Sequence, residues 1–239
     1  AKPSKPDAAP LSAKSIKNIH GVLHKALKQA VLIGYLRTNP TEACILPRII
    51  RKEMHPLEED QVAVFLREVQ GHPHEYLYKI ALFTGLREGE VLGLGWEHID
   101  FQAGTLTVKR QLRREQKKGG EYYFSPPKNN KSRCLTLAPS VIQLFRLQKL
   151  EQNSMRMEAG DAWEEHGLIF TNQTGGYLSY RTVYDCFKRI VRNIGAPATR
   201  FHDLRHTFAV ASIKSGDDIK TVQENLGHAT AAFTLDVYG

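Results

Sequence analysis

The chain has 239 residues, enough for one large domain or two smaller ones, and its 41% apolar and 24% charged residues suit a globular protein with a sizeable core. It contains no apolar run near the roughly 20 residues of a membrane span and opens with no signal-peptide pattern. Three scattered cysteines, Cys44, Cys134 and Cys186, fit neither a disulfide framework nor a paired metal site and point to a reducing compartment.

The net charge of +8 is unevenly placed. Residues 1–52 hold ten Lys/Arg against Asp7 and Glu42, residues 109–133 hold nine against Glu115 and Glu121, and the remainder is net −7. Two basic blocks on a slightly acidic body suit a polyanion held from two sides, nucleic acid foremost, although basic surface also serves solubility alone. Residues 1–10, with three prolines, read as linker. From Ser12, placed to cap, to about Leu36, the residues Ile16, Ile19, Leu23, Ala26, Leu27, Ala30 and Val31 recur at three and four, which predicts a helix. Lys14, Lys17, His24, Lys25 and Lys28 form another stripe of that helix, either a solvated face or one that tracks phosphates. A lone helix cannot bury its apolar stripe, so a helical domain is expected upstream of Ala1.

The proline-punctuated stretch 37–57 reads as an interdomain connection. Helices are predicted at 57–70, with acids in the first turn as the macrodipole prefers, at 75–85 as a buried helix ending at Gly85, and at 88–100. The period then drops to two: 105–113, 121–126 and 133–139 alternate like antiparallel strands of one small sheet, with the turn "PPKNNKS" between the second and third. Helices resume at 139–153, 179–194, 203–214, 217–226 and near 231–238. The expected class is mainly α with a small antiparallel β-sheet.

"FHDLRHTFAV" (201–210) crowds ionisable groups onto one helix. His202 and Arg205 are three apart and share a face. An arginine fork grips phosphate bidentately, and a histidine beside it moves protons near neutral pH. His202 and His206 have the spacing of a metal pair, but no Glu follows His202 and Arg205 between them repels a cation. Alone, this stretch fits a structural histidine better. Arg87 in "TGLREGE" (84–90) lies at a turn between helices, where an arginine needs an anion; Glu90 is a ready partner. "LGHATAAFTLDVYG" (226–239) adds His228 and Tyr238.

In combination and order, Arg87, a lysine in the hairpin turn, His202 with Arg205, then His228 and Tyr238 resemble the tyrosine recombinase family of the phage-integrase type. "TGLREGEVLGLGWEHID" is similar to its first arginine box, and "HDLRHTFA" with "LGHATAAFTLDVY" to its second. The stretch "SIKNIHGVLHKALKQAVLIGYLRTNP" resembles integrases of conjugative transposons and temperate phages of Gram-positive bacteria. The resemblance implies a catalytic domain over 51–239, preceded in 1–50 by the end of a helical core-binding domain and its linker. Tyr238 would attack the scissile DNA phosphate, forming a 3′-phosphotyrosine and freeing a 5′-hydroxyl, although tyrosine, with a free pKa of about 10, is a weak nucleophile. Arg87 and Arg205 would bracket the non-bridging oxygens. Lys128 would protonate the leaving 5′-oxygen, with Lys131 its rival; His202 would assist proton transfer, His228 would hydrogen-bond the phosphate, and Glu90 would support Arg87.

The implied reaction integrates or excises a mobile element. It needs no metal and no cofactor, because the phosphotyrosine retains the bond energy for resealing. Lys14, Lys17, His24, Lys25, Lys28, Lys131 and Arg133 are the expected DNA contacts, the basic helix and the hairpin closing on a duplex as a clamp. Expected partners are double-stranded DNA, further copies of the chain from dimer to tetrameric synapse, and an accessory excision factor, in a bacterial cytoplasm with no membrane. The alternatives are a type IB topoisomerase-like strand passer, a metal-dependent hydrolase, and a non-catalytic DNA-binding regulator; the last predicts loss of Arg87, Arg205 or Tyr238, and all three are present. Two departures stand out. The sequence has one residue after Tyr238, where the resemblance implies a further segment that docks onto a neighbouring protomer, and it implies earlier helices of the core-binding domain, and any arm-binding domain, ahead of Ala1.

Overall fold

The computed structural model describes residues 10–50, 54–117, 119–128 and 130–227. The chain divides into two units, with the boundary between residues 53 and 54. The first is built on α1, Ala13–Leu32, whose N-cap Ser12 accepts from the Ser15 amide at 3.1 Å. The helix ends four residues earlier than the period suggests, because Gly34 takes φ 82° and the amides of Tyr35 and Leu36 turn back onto the Ala30 carbonyl at 2.9 and 3.2 Å. A 3-10 turn, Pro40–Ala43, folds onto α1: His20 Nε2 pairs with the Thr41 carbonyl at 3.0 Å and His24 Nδ1 with the Thr41 hydroxyl at 2.8 Å. No residue of α1 is buried, and Ile16, Ile19 and Leu23 of the predicted apolar side are exposed.

The second unit is mainly helical, with two small antiparallel sheets. Its helices are α2 (Glu59–Glu68), α3 (Glu75–Thr84), α4 (Glu88–Leu92), α5 (Pro139–Ala159), α6 (Tyr180–Asn193), α7 (Phe201–Lys214) and α8 (Ile219–Leu226). α3 is the central one, packed between α5 and α7, and buries Leu77, Tyr78, Ile80, Ala81 and Leu82. Around it Phe65, Phe145, Phe187, Phe201 and Leu204 close a core in which the Tyr78 hydroxyl donates to the Val183 carbonyl at 2.8 Å. A satellite cluster of Ala209, Val222 and Leu226, with Phe208 and Ile213, seats α8 on α7.

Three sequence expectations are corrected. The helix expected over 88–100 stops at Leu92, where Gly93 caps it and the backbone lies so close to Leu112 that a Cβ at Gly93 would come 2.7 Å from the Leu112 amide nitrogen. The stretch 105–113 is two strands, β2 (Thr105–Val108) and β3 (Gln111–Arg114), rather than one. They part at Arg110, whose Nε donates to the Gly93 carbonyl at 3.0 Å and whose guanidinium sits 4.2 Å over Phe124. The single sheet becomes two: β1 (Ile99–Asp100), β2 and β5 (Arg133–Thr136) pair in the order β1-β2-β5, while β3 pairs with β4 (Tyr122–Ser125). The connection from β4 to β5 therefore crosses from one sheet to the other, and Lys128 lies on that crossover, not in a hairpin turn. The helix expected near 231–238 lies outside the described residues.

Gly85 ends α3 at φ 63°, and a Cβ there would come 2.5 Å from Phe208 Cδ1 and 2.9 Å from Leu226 Cδ2. Gly85→Ala is expected to destabilise the second unit by about 2–4 kcal/mol, left-handed strain added to overpacking, read as a lower urea midpoint at unchanged slope.

Candidate active site

α4 and α7 begin alike. Each has an arginine at the N-cap, a residue type with no capping oxygen, and an acid three residues on that reaches back. Glu90 accepts from the Arg87 backbone N–H and from its Nη1, both at 2.9 Å. Asp203 accepts from the Arg200 amide, Nε and Nη2 at 2.8, 2.9 and 2.7 Å. The acid satisfies an orphan amide, complements the helix dipole and holds the guanidinium at once.

Glu90 is 1% exposed. It also takes Arg133 from β5 in a bidentate pair, Nη1 to Oε1 at 2.9 Å and Nη2 to Oε2 at 2.7 Å. Burial alone would raise this carboxyl, but the hydrogen bonds and charge of Arg133, then Arg87, outweigh it and hold the group at about 2. Neighbouring Glu88 is the contrary case. Its Oε1 is buried without a hydrogen-bond partner among the described residues, and burial lifts it to about 7.

Arg205 is 2% exposed, one of the largest side chains so completely enclosed. Its Nη1 donates to the Gly85 carbonyl at 2.8 Å and its Nη2 to the Leu226 carbonyl, so it stands between the turn before Arg87 and the end of α8. His202, one turn away on α7, meets His206 edge to face, with ring centroids 5.0 Å apart. The residue keeps exposed surface, yet loss of solvent around the ring, then the charges of His206, Arg205 and Arg87, pull its pKa to about 4. Its ring is therefore uncharged and able to accept a proton at neutral pH.

A cavity of about 520 Å³ opens beside these groups, lined by Arg87, Lys128, Lys131, Arg133, Cys134 and Glu224 among others. Four cations against one carboxylate favour an anion. Of the residues singled out in the sequence, Arg87, Glu90, His202 and Arg205 come together through α4 and α7, and Lys128 and Lys131 both line the cavity, which does not choose between them. His228 and Tyr238 lie outside the described residues. Lys14, Lys25 and Lys28 are exposed on α1 and Lys17 is half-buried there. His24 differs from the lysines, since its ring and carbonyl are engaged by Thr41 and Asn39 within its own unit. Arg133 differs too: its guanidinium serves Glu90 and the Asn225 carbonyl, to which Nε donates at 2.9 Å. Arg200 and Asp203 were not singled out in the sequence, although the Arg-x-x-acid spacing they share with Arg87 and Glu90 was there to find.

The model of the phage integrase family matches residues 52–239. A tyrosine recombinase XerC-like protein of Caldanaerobacter subterraneus subsp. tengcongensis is 29% identical over 95% of this chain and 62% of the relative. The ICEBs1 integrase of Bacillus subtilis is 28% identical over 96% of this chain and 62% of the relative. The chain thus spans less than two thirds of these relatives. Among solved structures, the Tn1549 transposon integrase in complex with a circular intermediate DNA is similar with a TM-score of 0.79 at 25% identity, covering 96% of this chain and 76% of that one.

Two measurements check the electrostatics. With a folded-state value near 2, below that of a free carboxyl, the Glu90 contribution is complete above about pH 4.5 and fades as pH falls toward 2. Glu90→Gln should therefore cost on the order of 3 kcal/mol at pH 7, with the gap to wild type narrowing below about pH 4 in urea titrations. The His202 ring should titrate near 4 by NMR, and removing a neighbouring positive field with His206→Asn should raise that midpoint.

Proposed function

The chain belongs to the phage integrase family, and from that premise we propose that it is the cutting and rejoining part of a site-specific DNA recombinase. The observation that carries the proposal is the cavity in which Arg87, Lys128 and Lys131 converge beside the helix that brings His202 and Arg205. A backbone phosphate is the anion such a site fits. Arg87, aimed by Glu90, and Arg205, fixed by two carbonyls, stabilise negative charge gathering on the non-bridging oxygens. Tyr238 passes its phenolic proton to uncharged His202 as its oxygen bonds to phosphorus. The bond to the 5′-oxygen breaks, and Lys128, with Lys131 as alternative, gives that oxygen a proton. Attack by a 5′-hydroxyl from another duplex reverses each transfer, so no bond is lost to water. His228 supplies a further hydrogen bond to the phosphate.

Under this reading the partners are duplex DNA, contacted along the α1 lysines, and further copies of the chain within a synapse. The setting is the bacterial cytoplasm; among the described residues no helix is long and apolar enough to cross a membrane. The same active site would serve a strand passer that rejoins its own ends, and exchange between two duplexes separates the two.

Covalent trapping tests the proposal. The protein is incubated in EDTA with a pool of nicked duplexes whose short 5′ fragment diffuses away after cleavage. A protein–DNA adduct that survives denaturation and vanishes in Tyr238→Phe is the expected result, and sequencing the trapped DNA identifies the site. Intact DNA binding with no adduct would instead make the chain a non-cutting DNA-binding regulator.

A further inference from the structure

We propose that Arg133 is a positioning residue of the cleavage reaction, locking the first arginine to the end of α8, and not a contact to DNA. The proposal deepens the recombinase reading and rests on it for the reaction concerned. Arg133 opens β5, where its backbone is paired with Val108 of β2, so its origin is set by the sheet. From there one planar guanidinium serves two other elements. Its two terminal nitrogens grip Glu90 of α4, and its Nε donates to the Asn225 carbonyl in the last turn of α8. A guanidinium is rigid, so the three bonds cannot be adjusted one at a time.

At one end of this connection stands Arg87. Glu90 Oε1 receives Arg87 Nη1 and Arg133 Nη1, each at 2.9 Å, so a displacement of either arginine moves the carboxylate that orients the other. At the other end, the last carbonyls of a helix have no partner within it. In α8 two successive ones are taken by guanidinium groups: Asn225 by Arg133 from β5, and Leu226 by Arg205 from α7. Both cations also complement the negative end of the helix dipole. Gly227, at φ 63°, lies against Arg133 so closely that a Cβ would come 3.1 Å from Cδ and 3.2 Å from Nη1. The chain runs from there to His228 and, ten residues later, Tyr238. Arg133 thus ties the phosphate-binding turn to the start of the segment that carries the nucleophile, at the end of the crossover bearing Lys128 and Lys131.

Arg133→Lys keeps the charge and loses the fork, which separates positioning from phosphate contact. With the trapped duplex as substrate, the variant is expected to cleave roughly 10- to 100-fold more slowly at saturating DNA, with its Kd and salt dependence unchanged. Adding Glu90→Gln should slow it by less than the product of the two single effects, because both changes act on the same carboxylate. Amide exchange in α8 should accelerate while exchange in α3 stays as in wild type. A wild-type cleavage rate in Arg133→Lys, with a Kd raised and a salt slope lowered by about one in Arg133→Ala, would make the residue a phosphate contact and overturn the proposal. Equal acceleration in α3 and α8 would reduce it to general stability. The exchange arm needs no DNA. A wild-type chain that never forms an adduct therefore sinks the recombinase reading, while unchanged α8 exchange in Arg133→Lys sinks this one.

Discussion

Glu90 sits between two guanidinium groups with almost no access to water, and a carboxylate in that place is stable only as an anion held on several sides. Its four hydrogen bonds come from the backbone and side chain of Arg87 and from both terminal nitrogens of Arg133. A buried pair of this kind contributes less to stability than its Coulomb energy suggests, because both partners had to be desolvated. What it does enforce is geometry. Removing any member leaves buried charge unpaired, so the arrangement of α4, β5 and α8 around the cavity is close to all or none.

The same logic runs through α7. Asp203 closes the first turn of that helix on Arg200, as Glu90 closes α4 on Arg87, and one turn later Arg205 enters the interior. An arginine tolerates that depth only if its N–H groups find oxygen. The left-handed turn at Gly85 and the end of α8 supply carbonyls where a helix interior would have none free. The hydrophobic clusters bring these ends together: α3 packs on α7, and Val222 and Leu226 seat α8 beside it. His202 then lies where loss of solvent, and after it the neighbouring charges, keep its ring uncharged, the state in which a histidine can take a proton.

Much of this was legible along the chain because it depends on neighbours. The Ser12 cap, the glycine stop after α3, the apolar period of α6 and the pairing of Arg87 with Glu90 are all set within four residues. The motif order also pointed to the chemistry without any coordinates. Where expectation and structure part, a distant contact is responsible. α4 ends early where Gly93 abuts Leu112, and the strand expected over 105–113 breaks where Arg110 turns to Gly93 and Phe124.

Sequence by itself determined the helical class and the segments that alternate as strands, because period and capping are local properties, and the order of its motifs marked the family. Only the tertiary structure decided which strands pair, that Lys128 rides a crossover between two sheets, and that Arg133 faces inward to Glu90 and Asn225. Those partners lie 43 and 92 residues away, and no local pattern encodes a contact that forms only when the core has closed.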